Sequence, residues 1–153
     1  MPNSLRIRAP FATQTSDRIL MNTMPPPPTI LLLDDDSNTL VALRAILERT
    51  EARIVESDDE KGAICLCREL SEKIDLMVAD VILPHSNGPE VVRSVKSLQP
   101  FMRLLFISGF SLNELARRGL LRSEDLAGGN AKFLQKPFTS EAFLSCVRQL
   151  LAA

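Results

Sequence analysis

From Thr29 onward the chain alternates two kinds of hydrophobic pattern. Short apolar runs, "TILLL" (29–33), "ARIVE" (52–56), "DLMVA" (75–79), "RLLFI" (103–107) and "AKFLQ" (131–135), read as strands. The first, third and fourth are continuous enough for burial on both faces of a sheet. Between these runs the apolar residues recur at helical spacing. Leu40, Leu43 and Leu47 mark one face of a first helix, with Ser37 or Asn38 placed to cap it. Ala63, Cys67 and Leu70 mark a second, whose start the acids of "SDDE" cap and complement. Val91, Val95 and Leu98 mark a third, ended by Pro100, and Phe143, Val147, Leu150 and Leu151 mark the last. The stretch "SLNELARRGLLRSEDLAGGNA" begins helically, but Gly119 and the Gly128-Gly129 pair interrupt it, which predicts a broken helix and a long loop.

Repeated strand-then-helix units imply an α/β fold with a mostly parallel sheet. Five such units in about 125 residues predict a flavodoxin-like, doubly wound (βα)5 sheet of strand order 2-1-3-4-5. A sheet of this kind binds ligands beyond the carboxyl ends of its strands, where the order reverses between strands 1 and 3.

Composition narrows the picture. With 153 residues, 45% of them hydrophobic and 24% charged, the chain has material for one domain with a proper core. Residues 1–28 read as a disordered tail that ends in Pro25 to Pro28, and residues 29–153 as the domain. The tail is mildly basic and lacks the apolar core of a secretory signal, and Met21 and Met24 offer later starts. A net charge of −1 gives no electrostatic case for nucleic acid or a membrane surface. No apolar run reaches the ~18 residues of a membrane span. Cys65, Cys67 and Cys146 are odd in number, and the first two diverge on a helix, so they are expected as reduced thiols. Together these features point to a cytoplasmic protein.

The chemistry gathers at one edge. Strand 1 runs into Asp34, Asp35 and Asp36, strand 3 into Asp80, strand 4 into Ser108 and strand 5 into Lys136. Carboxylates beside a low-dielectric core are unfavourable unless a cation or hydrogen bonds compensate them. Clustered carboxylates suit Mg²⁺, a hard cation that takes oxygen ligands and keeps several waters. A lysine and a hydroxyl beside them suit phosphoryl oxygens, and a carboxylate is itself a nucleophile able to form an aspartyl-phosphate.

Residues 29–153 resemble the receiver domain of two-component response regulators. The resemblance rests on several signals in the right order: the acidic pair after strand 1, "DVILPHSNG" with Pro four and Gly eight residues after Asp80, Ser108 with its small neighbour, and Lys136-Pro137. It implies that Asp80 accepts the phosphoryl group and that Asp34, Asp35, Asp80 and the backbone carbonyl of Ile82 hold Mg²⁺. It further implies that Ser108 moves to a phosphoryl oxygen, that Gly109 leaves room for the donor, that Lys136 pairs with the phosphoryl group, and that the bond to Pro137 is cis. Phe133 matches the switch aromatic, without a phenol. Asp36 is assigned to local structure, and His85 to a solvated loop. Ile82 and Phe110 stand at the variable positions flanking the phosphoryl group, where neither orients water, which implies slow self-dephosphorylation.

The implied partners are a sensor histidine kinase or a histidine phosphotransfer protein as donor, and a separate downstream protein, with a homodimer also compatible. "FISGFS…FLQKPF" is similar to receivers of hybrid sensor kinases, although no kinase domain is expected here, and with 17 residues after Lys136 no output domain either. The long stretch from Ser108 to Lys136 departs from the family and sets the usual output face in question. Two rivals remain. One is a receiver-fold binding module that works unphosphorylated. The other is a haloacid-dehalogenase-type phosphatase built on Asp34 and Asp36, which would leave Asp80 unexplained.

Overall fold

The computed structural model describes residues 24–70 and 73–152. Most of the proposed tail therefore lies outside the described residues. Five strands, β1 (Thr29–Leu33), β2 (Arg53–Ser57), β3 (Leu76–Asp80), β4 (Arg103–Ser108) and β5 (Ala131–Gln135), pair in parallel in the order β2-β1-β3-β4-β5. Helices α1 (Ser37–Leu47), α2 (Glu60–Glu69), α3 (Gly88–Val95), α4 (Leu112–Arg117) and α5 (Ser140–Ala152) cover its two faces.

The period of two along each strand sorts the core into two layers. Ile30, Leu32, Leu76, Val78, Leu105 and Ile107 face α1 and α5, where Leu40, Leu43, Leu47, Phe143 and Val147 close over them. The alternate residues, Leu31, Leu33, Met77, Ala79, Leu104 and Phe106, face α2, α3 and α4, meeting Ala63, Cys67, Val91, Val95 and Leu115. Register carries a row from Leu33 through Ala79 and Phe106 to Phe133, so Phe133 lies on the second face and is partly buried there.

Some boundaries differ from the sequence expectation. β2, β3 and β4 each end one residue later than expected. The Ser57 carbonyl accepts the Asp34 N–H at 3.3 Å, and the Val81 N–H donates to Ile107, so the ladders extend that far. The cap of α1 is Asp36, not Ser37 or Asn38: its carboxylate accepts the Asn38 N–H at 3.0 Å and the Thr39 hydroxyl at 3.1 Å. α2 stops at Glu69, leaving Leu70 as an extended cap residue, and α3 stops at Val95 before a turn that includes Leu98.

The broken fourth helix is present as expected. α4 has six residues, Gly119 follows at φ 72°, and a single 3-10 turn at Ser123–Leu126 leads to Gly128 and Gly129, also at positive φ. Buried Leu121 and partly buried Leu126 pin this segment to the second core layer.

Candidate functional site

The topology brings the carboxyl ends of β1, β3, β4 and β5 side by side. Asp34 follows β1 with its side chain 1% exposed, and Asp80 ends the neighbouring β3 at 14%. Lys136, just past β5, reaches back with Nζ 3.2 Å from Asp34 Oδ2 and 3.2 Å from Asp80 Oδ2. The other Asp34 oxygen accepts the Asp36 N–H at 2.9 Å, and the other Asp80 oxygen accepts the Ile82 N–H at 3.1 Å. Each carboxylate thus gains one backbone donor and shares one ammonium. Asp35 is exposed, yet an oxygen from each of Asp34, Asp35 and Asp80 lies within 4.8 Å of the others. Such a set of hard oxygen donors, open to water on the Asp35 side, fits a Mg²⁺ ion.

Electrostatics follow from the packing. Burial is the main influence on Asp80 and raises its carboxyl above the ordinary range, with the Asp34 charge adding to this and Lys136 opposing it. Burial pulls Lys136 down, but the Asp80 and Asp34 charges and hydrogen bonds to both outweigh it, so its ammonium is held above the ordinary value. The pair is mutually dependent, and removing either partner leaves a desolvated charge.

Ser108 ends β4 and is 1% exposed. Its carbonyl accepts the Lys136 N–H at 2.8 Å, and its hydroxyl oxygen accepts the Phe110 N–H at 3.1 Å, leaving the hydroxyl proton to donate elsewhere. The Lys136-Pro137 peptide is cis. Gly109 is exposed, and a Cβ built on it meets nothing within 4 Å. The Asp36 carboxylate is occupied in capping α1, and Asp36 reaches the site only through its N–H on Asp34. His85 is exposed in the β3–α3 loop.

Two features of the site were not assigned in the sequence. A Cβ on Gly88 would meet the Asp80 carbonyl oxygen at 2.6 Å, so only glycine lets the start of α3 pack onto the backbone of Asp80. The Gly88 N–H also donates to Val81, closing the loop upon itself. The motif showed a glycine, but nothing local showed what it approaches. The second feature is Arg118, whose guanidinium lies over the Phe110 ring at 4.3 Å. Its i,i+4 relation to Glu114 is visible in sequence, whereas the ring contact arises only from the fold.

Known proteins converge on one reading. CpdR, a response regulator receiver protein of Brucella abortus (strain 2308), is 27% identical over 107 residues, covering 70% of this chain and 82% of CpdR. The sensor kinase CckA of the same organism is 29% identical over 89 residues, 58% of this chain, but the match spans only 9% of that kinase. A response regulator receiver protein from Sinorhizobium medicae WSM419 superposes with TM-score 0.68 at 27% identity, covering 83% of this chain and 96% of that one. The family model "Response regulator receiver domain" matches residues 30–148, and with the acidic pocket built on that fold, the chain belongs to the response regulator receiver domain family.

Proposed function

We propose that the chain is a phosphorylatable switch that receives a phosphoryl group on Asp80 from a phosphohistidine. The observation that carries this is the Lys136 ammonium bridging Asp34 and Asp80 beside the oxygen of Asp35. An Asp80 oxygen forms a bond to phosphorus as the donor's P–N bond breaks, and the released imidazole keeps the electron pair and takes up a proton. Mg²⁺ held by Asp34, Asp35, Asp80 and the Ile82 carbonyl would supply counter-charge to the phosphoryl oxygens. Lys136 exchanges a carboxylate oxygen for a phosphoryl oxygen, which keeps its charge compensated throughout. Ser108, with its proton uncommitted to Phe110, donates to another phosphoryl oxygen.

The donor class follows from the family: a sensor histidine kinase or a histidine phosphotransfer protein. Similarity to CpdR over most of its length supports a receiver that signals to a separate partner or relays the group onward. The readout is a population shift between two packings of the Ser108 and Phe133 region. Phe133 is half-buried and pairs in register with Phe106, one strand over from Ser108.

Intact mass after incubation with Mg²⁺ and acetyl phosphate tests the reading. One phosphoryl adduct, absent from Asp80→Ala and released by hydroxylamine, is expected. No adduct on the folded wild type would reject phosphoryl transfer and leave a binding module that works unphosphorylated.

A further inference from the structure

The β4–α4 loop is tied down at consecutive residues. Lys136 N–H holds the Ser108 carbonyl at 2.8 Å, and the Gln135 side-chain amide holds the Gly109 carbonyl at 3.3 Å. The Phe110 N–H holds the Ser108 hydroxyl oxygen at 3.1 Å, and the Phe110 ring lies beneath the Arg118 guanidinium at 4.3 Å. Arg118 is fixed in turn. Its Nε donates to Glu114 Oε2 at 3.2 Å, while Arg117 donates to the other Glu114 oxygen at 2.7 Å. These hydrogen bonds, Arg117 first, hold the Glu114 carboxyl below the usual range.

An unbroken chain of contacts therefore runs from the buried Ser108 hydroxyl to exposed Arg118, the cap residue of α4, and on to Glu114 within it. We infer that Glu114, Arg118 and Phe110 form a latch that holds Ser108 in its resting position, with Arg118 as the positioning residue. The inference rests on the reading that Ser108 shifts toward a phosphoryl group on Asp80. For that shift, either the Phe110 amide releases the hydroxyl or the Phe110 backbone follows it and the ring slides from under Arg118. The stack opposes both routes, because by fixing the Phe110 ring it also holds the Phe110 amide against the Ser108 hydroxyl. The latch thus favours the resting packing, and its strength sets how often the loop visits the packing competent for phosphoryl transfer.

An exposed cation–π contact of this kind is weak enough to be reversible. Its loss corresponds to about a two- to fivefold shift in the equilibrium between the two packings. A helix of six residues, capped by Arg118 and followed by Gly119, suits the role, because few backbone bonds resist a small movement of its end.

The test pairs amide exchange with phosphorylation in wild type, Arg118→Ala, Arg118→Lys, Phe110→Leu and the Arg118→Ala/Phe110→Leu double variant. Arg118→Ala is expected to speed exchange of the Phe110 amide and to raise the initial rate of adduct formation from limiting acetyl phosphate by about two- to fivefold. Thermal midpoint should be nearly unchanged, and Arg118→Lys, which keeps the cation, should restore most of the wild-type rate. Phe110→Leu should accelerate the reaction similarly, and the double variant no further, since both remove one contact. Equal rates in wild type and Arg118→Ala, or additive effects in the double variant, overturn the latch while leaving Asp80 chemistry standing. A wild type that forms no Asp80-dependent adduct removes the receiver reading, and the latch with it.

Discussion

Lys136 and Cys67 show how burial acts on single side chains according to what lies beside them. Lys136 has two carboxylates within hydrogen-bonding distance and stays charged. Cys67, 3% exposed on the core-facing side of α2, has no such partner, and burial alone pushes its thiol from 9.0 up to about 11. The folded state therefore keeps a proton that the unfolded chain releases near 9.0. The stability this contributes is fully present below that pH and is lost as pH rises toward about 11. Urea unfolding at pH 8 to 11 should show wild type losing stability more steeply than Cys67→Ala, by at most about 2 kcal/mol across the window. Parallel profiles would contradict the assignment. The site's polar residues were legible in the sequence: Asp34, Asp35, Asp80, Ser108 and Lys136 could be picked out because each lies at or just past the end of an apolar run that reads as a strand. Capping by Asp36 was less so, since neighbouring Asp, Ser and Asn residues offer similar acceptors and only backbone geometry selects one.

At the level of elements, α3 determines how Asp80 is seated. Asn87 caps it through the Glu90 N–H at 3.0 Å, Pro89 occupies its first turn, and Gly88 allows the helix start to touch the Asp80 carbonyl. Gly88→Ala forces a Cβ to within 2.6 Å of backbone that cannot swing aside. It should destabilise the fold by about 1–3 kcal/mol and slow adduct formation, because Asp80 and Ile82 shift with the displaced loop. Gly109→Ala is the control. Its Cβ meets nothing within 4 Å, its φ is not in the left-handed region, and its stability should lie within about 0.5 kcal/mol of wild type. Chemical denaturation of both variants gives the comparison, and equal midpoints would show that α3 yields without strain. Elements were legible where burial imposes a pattern. β1, β3 and β4 are covered on both faces and read as apolar runs, and the α4 break was announced by its glycines. The Gly88 approach and the Phe110–Arg118 stack were hidden because each joins residues whose proximity only the fold determines.

Across the whole molecule, a net charge of −1 conceals a local imbalance at the carboxyl edge of the sheet. Three carboxylates have oxygens within 4.8 Å of one another there and the Lys136 ammonium bridges only two of them, Asp34 and Asp80, so the folded state carries repulsion that the unfolded chain relieves. A cation that binds only the folded cluster must stabilise the entire domain. At a hundredfold excess over its dissociation constant, Mg²⁺ should add about 2.7 kcal/mol, which raises the melting temperature by several degrees. Asp35 separates this effect from folding, because it is exposed and forms no bridge to Lys136. Asp35→Asn should melt at or slightly above wild type in chelator, since one repulsive charge is gone, and should lose most of the Mg²⁺ increment. Thermal melts of both proteins across a Mg²⁺ series, at constant ionic strength to remove general screening, distinguish the possibilities. An equal Mg²⁺ shift in the two would place the cation elsewhere. A shift confined to wild type would tie the stability of the whole sheet to the site at its edge, as expected of a fold whose active end is built from mutually repelling groups.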